Sequence, residues 1–423
     1  MLPLQLFRQE KEKVVAGLQK KNFKELDLVD SIIALDERRR ELQVESDTLA
    51  SQVNAASKSI GQLMGQGKKD EAEKLKSEVA KNKERAKELV HKLNELEQEL
   101  HQMLVRLPNL PHESVPFGKT PEENEVVRAG GETPDLSGQK LPHWDIAAKY
   151  GLIDFELGNK ITGSGFPVYV GKGARLQRAL ISYFLDYNTQ AGYQEYYPPY
   201  MVNETSAAGT GQLPDKEGQM YHVTEDGLYL IPTAEVPVTN VYRDEIIQEQ
   251  QLPVKMTAYS PCFRREAGSY GKDVRGLNRV HQFDKVEIVQ LTHPEKSYEA
   301  LEEMVTHVEK LLQSLNLQYR ILRLCGGDMS FTSALTYDFE VYSAAQERWL
   351  EVSSVSNFES FQTNRMKIRF KDGNGKTHLV HSLNGSSLAL PRIMACILEN
   401  HQTPEGIRIP EALRSYFGSD IIQ

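Results

Sequence analysis

Cysteine is scarce in this chain of 423 residues. There are three, Cys262, Cys325 and Cys396, far apart and without a C-x-x-C spacing. That excludes a disulfide framework and a cysteine-based zinc site as organising features. Reduced thiols of this kind fit a cytoplasmic protein. Long apolar runs are also lacking, so no membrane span is expected. The opening MLPLQLFRQEKEKVV places charges where a secretory leader needs an apolar run. Positive charge is in deficit, with 50 Lys and Arg against 59 Asp and Glu, a net charge of -9. A protein that coats nucleic acid without specificity is usually basic. Any nucleic-acid contact here must therefore use local basic patches. The chain has no GxxxxGK[ST] run and no regular alternation of strands and helices, which argues against P-loop and Rossmann folds.

What is present falls into three regions. The first, residues 1–108, is dominated by heptad spacing. Leu28, Leu35, Leu42 and Leu49 recur every seven residues, with Ile32, Val53 and Ile60 on the complementary seam. Leu75, Val79, Asn82, Ala86, Leu89, Leu93, Leu96, Leu100, Met103 and Leu107 alternate steps of four and three. This is a coiled-coil seam. Gly61, Gly65 and Gly67 lie between the runs and predict a break, hence an antiparallel pair of helices roughly 50 Å long at about 1.5 Å per residue. Arg39, Ser46 and Asn82 interrupt the seam. Lys68, Lys69, Lys74, Lys76, Lys81, Lys83, Arg85 and Lys87 cluster toward the tip. They suit either a solvated coiled-coil face or a lever that offers cations to a phosphate backbone.

Residues 109–139 are rich in Pro and Gly, lack periodicity and read as a linker. From residue 140 to 423 strand-like stretches alternate irregularly with helical ones. GARLQRALISYFLDYNTQAGY reads as a helix running into a strand-like EYYPPYMVN, and LYLIP, KMTAYSPCF, VHQFDKVEIVQL, QYRILRL, DFEVYS, RWLEVSSVS and MKIRF read as strands. The expected class is α+β, an antiparallel sheet flanked by helices and preceded by the helical arm.

Three segments could carry chemistry. In CFRREAGSYGKDVRGLNRVHQFDKVEI, strand alternation would put Arg264 and Glu266 on one face, and Phe283 and Glu287 on one face of the return strand. A guanidinium can grip phosphate in bidentate fashion and a ring can stack on a base. The loop between them holds Lys272, Arg275 and Arg279. The same spacing also fits a surface hairpin laced by cross-strand ion pairs. In HSLNGSSLALPRIMACILENHQ, Arg392 opens an amphipathic helix with Gly and Ser ahead of it. That arrangement suits an anion, or ordinary capping by Ser386 or Ser387. In RWLEVSSVS, Glu351 stands with Ser353 and Ser354, hard oxygen donors suited to magnesium, although a lone strand Glu is more often a surface residue.

Taken together, FRRE with its loop and VHQF strand resembles the second signature of class II aminoacyl-tRNA synthetases. GSSLALPR resembles the third, and the long helix ending in YYPPYMVN the first. With LIPTAEVP and the coiled-coil arm, the chain resembles the seryl-tRNA synthetases, bacterial type, from end to end. The resemblance implies ATP-dependent attachment of serine to tRNA(Ser) through a seryl-adenylate, with tRNA(Sec) as a further possible acceptor. It implies a homodimer, joined through the first signature, whose arm grips the long variable arm of the tRNA. In the site it implies, Arg264 binds the α-phosphate, Arg392 the γ-phosphate, and Glu266 and the backbone at Val280 the adenine edge, while Phe283 stacks on the ring. Arg264, Glu266 and Arg392 would be the catalytic set. Arg265, Val352 and Ser353 complete the ATP contacts, Glu351 and Ser354 bind Mg2+, and Thr233, Ala234, Glu235, Arg264, Glu287 and Ser386 surround serine. The third signature often has Gly where Ser387 stands. Truncated relatives that load carrier proteins lack the arm, and a catalytically dead scaffold would have lost Arg264, Glu287, Glu351 or Arg392.

Overall fold

The computed structural model describes residues 1–136, 140–215, 218–266 and 275–423. They form two compact units, residues 1–19 with 23–108, and residues 20–22 with 109–423. No helix is long and apolar enough to cross a membrane among the described residues.

The first unit contains α1 (Leu4–Gln9), α2 (Lys11–Lys20, whose last residue belongs to the second unit), α3 (Leu28–Gly65) and α4 (Lys69–Leu104). The heptads place α3 against α4 as expected. The break is narrower than the glycines suggest. Helix α3 passes through Gly61 and ends at Gly65, and the chain reverses over 66–68, with Gly67 at φ +77. A single residue in that left-handed region suffices to turn the chain.

Packing along the pair is uneven. Val79, Leu89, Leu93, Leu96, Leu100 and Leu104 are buried, whereas Leu35, Leu42 and Leu49 are only partly so. The most enclosed polar side chain of α3 is Asp36, 2% exposed. It accepts hydrogen bonds from Arg8 at 2.7 and 2.9 Å, Arg39 at 3.1 Å and Arg40 at 3.2 Å. Burial pushes its carboxyl up, but the bonds and charges of Arg8 and Arg39 outweigh that and hold it below the usual range. Arg39 thus interrupts the seam in order to satisfy a neighbouring carboxylate.

The second unit is built on eight strands: β1 (Glu125–Gly130), β2 (Gln194–Glu195), β3 (Val254–Phe263), β4 (Gln282–Thr292), β5 (Tyr319–Arg323), β6 (Leu335–Ser343), β7 (Arg348–Glu359) and β8 (His381–Ala389). Their spatial order is β1-β5-β6-β7-β8-β4-β3-β2. All neighbours are antiparallel except β2 and β3. The expected sheet is present, with four corrections to the reading of the strands. The stretch read as linker supplies an edge strand, because EVVRAG pairs with β5 from Glu125↔Arg323 to Gly130↔Tyr319. HSLNGSS is a central strand and not a cap; the helix after it is capped by Ala389 without a side-chain bond. In MKIRF the strand covers only Arg369–Lys371, since Met366 closes a helix. EYYPPYMVN divides into β2 and a short separate strand, Met201–Asn203.

Helices α5 (His143–Tyr150), α6 (Lys172–Gln190), α7 (Ser297–Ser314) and α8 (Leu390–Asn400) share one apolar core with the sheet. Strand β4 shows how the faces divide. Val286 and Ile288 enter that core, while Val289 and Leu291 join a second cluster with Ala234, Met256 and Phe370. Between these apolar anchors, Phe283, Lys285 and Glu287 line a cavity.

Replacing Asp36 by Ala leaves Arg8 without the carboxylate that ties α1 to α3. Amide protection across Leu4–Gln9 should fall about ten- to hundredfold, read by hydrogen exchange on the full chain.

Candidate active site

The cavity has a volume of about 520 Å³ and lies where β3, β4, β7 and β8 converge. Its polar lining follows from strand alternation. On β8, Leu383 points to the helical core while Asn384 and Ser386 point into the cavity. On β4 the same period delivers Phe283, Lys285 and Glu287. Lys285 was not foreseen, although it lies two residues from each of its neighbours on that face. Its ammonium meets Glu287 at 2.6 Å, with the two side chains 8% and 2% exposed. Thr233 Oγ1 donates to Glu287 at 3.3 Å and accepts from the Glu235 amide at 3.2 Å. Glu235, in turn, accepts from Gln362 at 2.6 Å.

Arg264 and Glu266 do not share a strand face as expected, because β3 ends at Phe263 and Glu266 has φ +49. Both still line the cavity. Arg264 is held by its amide to the His281 carbonyl at 2.8 Å, and its guanidinium lies 5.2 Å over the Phe283 ring. The Arg265 amide donates to the Gln219 carbonyl at 2.9 Å and the Glu266 amide to the Gln219 side chain at 3.1 Å. The Glu266 carboxylate meets Arg279 at 3.0 Å. Gln219 gave no signal in the sequence, because it meets the backbone amides of Arg265 and Glu266 across a long gap in the chain. Lys272 lies outside the described residues, and Arg275 stacks on Trp144 at 4.5 Å.

Arg392 opens α8 as expected. It donates to the Asn278 carbonyl at 3.0 Å and the Glu351 carbonyl at 2.7 Å, with the Glu351 carboxylate 3.7 Å away. Glu351, Val352, Ser353 and Ser354 all line the cavity. Residues three apart on a regular strand face opposite ways, but the register slips between Phe339↔Ser353 and Glu340↔Glu351, leaving Val352 extra. This bulge brings Glu351 and Ser354 to one side. Ser353 Oγ instead donates to the Ser386 carbonyl at 2.6 Å and ties β7 to β8. Beside Ser354 across the ladder is Asp338, whose Oδ1 is buried and has no hydrogen-bond partner. Burial, then the charge of Glu351, pushes the Asp338 carboxyl well above its ordinary range. A half-exposed carboxylate, a hydroxyl and an unsatisfied carboxyl oxygen are a donor set that fits a hard divalent cation.

Val280 and Thr233 also line the cavity, and Ala234 is buried in the adjoining apolar cluster. One end of the cavity therefore gathers guanidinium groups, an aromatic ring and hard oxygens. The other gathers Thr233, Glu235, Lys285, Glu287 and Ser386. Such a site can bind a polyphosphate beside a small zwitterion.

A family model of the seryl-tRNA synthetase N-terminal domain matches residues 1–111, and one of the tRNA synthetase class II core domain (G, H, P, S and T) matches residues 221–401. The serine–tRNA ligase of Salinibacter ruber is 50% identical over 420 residues, covering 99% of this chain and 98% of the relative. That of Neisseria meningitidis serogroup C is 50% identical over 426 residues with the same coverage. Among solved structures, the seryl-tRNA synthetase of Pyrococcus horikoshii, complexed with ATP, superposes with a TM-score of 0.92 at 34% identity, covering 100% of this chain and 99% of that one. The cytoplasmic serine-tRNA ligase of Naegleria fowleri, in complex with AMP, gives 0.87 at 29% identity with the same coverage.

Burial, followed by the charge of Glu287, raises the Glu235 carboxyl to about 7 against the help of Gln362 and Lys285. A carboxyl raised on folding binds protons more tightly in the native state. Its stabilisation is complete below the ordinary carboxylate range and is lost as pH rises toward about 7. Glu235→Gln removes that loss. The melting temperature of the variant relative to the parent should therefore rise by roughly 2 °C or more between pH 5 and pH 8 in thermal scans. A constant difference across that range would contradict the assignment.

Proposed function

The chain belongs to the seryl-tRNA synthetases, and from that premise we propose that it activates serine as seryl-adenylate in the cavity of the catalytic sheet and then passes it to tRNA(Ser). The observation that carries the reading is the meeting, in one cavity, of Arg264, Arg392, Glu351 and Ser354 with Thr233, Glu235, Glu287 and Ser386.

In the first step an oxygen of the serine carboxylate bonds to the α-phosphorus of ATP, and the bond from that phosphorus to the bridging oxygen breaks. Pyrophosphate leaves with the electron pair. Serine is already ionised at its carboxyl, so no strong general base is needed. The requirement is alignment and neutralisation of charge. Arg264, at the junction of the two halves, would grip the α-phosphate and the serine carboxylate. Arg392 would hold the γ-phosphate. Phe283 would stack on adenine, with Glu266, Arg265 and the backbone at Val280 along its edge, and Val352 and Ser353 beneath the nucleotide. Glu351 and Ser354, with Asp338 behind them, would hold Mg2+, which supplies further charge neutralisation when bound. In the second step a ribose hydroxyl oxygen of the terminal adenosine bonds to the seryl carbonyl carbon, and the bond from that carbon to the phosphate oxygen breaks. AMP leaves with the electron pair, while the hydroxyl proton passes to the departing phosphate or to water.

Glu287, buried and paired with Lys285, suits the polar groups of serine. An amino acid that lacks the hydroxyl would leave buried polar atoms unpaired, which is costly. The proposal includes a homodimer and a cytoplasmic location, and it extends to tRNA(Sec) as a second acceptor wherever that tRNA is present.

On the arm, Lys68, Lys76, Arg85 and Lys87 pair with acidic neighbours. Lys69, Lys74, Lys81 and Lys83 make no ion pair among the described residues. These four are the cations best placed to meet tRNA phosphates.

The test is amino-acid-dependent ATP–pyrophosphate exchange with serine, threonine, alanine and glycine. Exchange is expected with serine alone, reduced on the order of 10²- to 10³-fold in Arg264→Ala. Absence of exchange with every amino acid, from folded protein with magnesium, would refute the reading. For the arm, Lys74→Gln with Lys81→Gln should weaken tRNA capture and reduce the slope of log affinity against log salt by about two.

A further inference from the structure

A buried polar cluster lies behind the nucleotide end of the cavity, and nothing in the reaction so far uses it. His143 and Glu399 are each fully enclosed, and the imidazole Nδ1 meets the Glu399 carboxylate at 2.7 Å. The same carboxylate accepts from the His143 amide at 2.9 Å, from Gln346 at 2.9 Å and from the Ser343 hydroxyl. The far nitrogen, Nε2, accepts from the Leu277 amide at 2.8 Å. That bond settles the tautomer. A ring nitrogen facing an N–H must present its lone pair, so the proton is on Nδ1 and is donated to Glu399.

The residues so gripped are not incidental. Around Leu277, Arg275 stacks on Trp144 at 4.5 Å, and Gly276 at φ +64 passes so close that a Cβ would lie 2.2 Å from His143 Nε2. The next residue, Asn278, donates from its side chain to Gln346 at 2.9 Å, and its carbonyl accepts from Arg392 Nε at 3.0 Å. Glu399 and Arg392 belong to one helix, α8. A closed circuit of bonds therefore runs from Glu399 through His143 and Leu277 to Asn278, across to Arg392, and back along the helix.

We propose that His143 and Glu399 are positioning residues for the nucleotide. They fix residues 275–278 and, through the Asn278 carbonyl, aim the Arg392 guanidinium into the cavity. The inference rests on the reading above that Arg392 holds ATP. Neither residue lines the cavity, so their effect reaches it through Leu277 and Asn278, which do, and through the Asn278 carbonyl to Arg392.

Two substitutions separate this role from a general contribution to folding. Asparagine keeps an amide N–H where Nδ1 donates to Glu399 but loses the acceptor for Leu277. Glutamine keeps an acceptor near Nε2 and loses the donor. Each deletes one buried bond, so both should lower the melting temperature comparably. Only His143→Asn releases Leu277. The affinity for a non-hydrolysable ATP analogue, measured by calorimetry on the full chain, should fall about tenfold in His143→Asn and less than about threefold in His143→Gln. The serine KM in exchange should move less than about twofold in either. In an Arg392→Ala background, His143→Asn should weaken the nucleotide clearly less than it does in the parent.

Equal losses of nucleotide affinity in the two His143 variants would overturn the proposal. So would an equal shift in serine KM, or an undiminished effect in the Arg392→Ala background. If Arg392→Ala alone leaves nucleotide affinity unchanged, the reading of Arg392 itself falls. If it weakens the nucleotide and His143→Asn does not, only the inference falls. Should His143→Asn fail to fold, Gln346→Met removes the parallel link from Glu399 to the Asn278 side chain at a less enclosed point. It should weaken the nucleotide about threefold, and no change would count against the circuit.

Discussion

A carboxylate cannot remain charged in the middle of a sheet without a partner, and Glu287 is in that position at 2% exposure. Lys285 lies two residues earlier on the same strand and meets it at 2.6 Å, while Thr233 supplies a hydroxyl. The pair needs a strand with apolar anchors on both sides of it, and β4 provides them in Val286 and Ile288 facing the helices, and in Val289 and Leu291 farther along. Glu235 is itself buried and lies close to that carboxylate, and burial first, then the charge of Glu287, raises its proton affinity. The polar end of the cavity is thus one electrostatic unit.

The end of the cavity that holds Glu266, Glu351 and Arg392 depends on backbone irregularity instead of charge pairing. The slip at Val352 turns Glu351 and Ser354 to one side, the positive φ of Glu266 brings its carboxylate to Arg279, and Gly276 lets the chain pass His143. Regular strands present side chains at a fixed period, which suits a compact ligand such as an amino acid. A triphosphate and a cation need groups from several elements at once, and bulges and tight turns gather them.

This difference explains what could be read in the sequence. Periodicity was visible, so the arm, most of the strands and the shared face of Phe283 and Glu287 followed from spacing alone. Arg392 at a helix start and Arg264 near Phe283 were legible from residue type. The irregular parts were not. HSLNGSS suits an anion site or a helix cap because its residues are small and polar, yet it is a central strand whose Gly385 would place a Cβ 2.9 Å from Val355. EVVRAG was hidden inside a Pro- and Gly-rich stretch, and only pairing with β5 makes it a strand. Lys285 obeys the same period, but a lone lysine in a strand carries no sign that it is buried against a carboxylate. His143, Glu399 and Gln219 act through partners more than a hundred residues away or through backbone atoms, and no local pattern encodes either.

The strand order also governs when the pocket can come into being. Strand β4, which carries Glu287, is flanked by β3 on one side and β8 on the other, and Glu287 pairs directly with Ser386. Its hairpin partner β3 precedes it across residues 264–281, but the other neighbour comes roughly a hundred residues later, a distant closure that is slow to form. Until His381–Ala389 has left the ribosome, the polar end of the cavity has one wall missing and its buried charges remain open to water. A nascent copy therefore cannot close this end of the cavity until nearly the whole chain has been made.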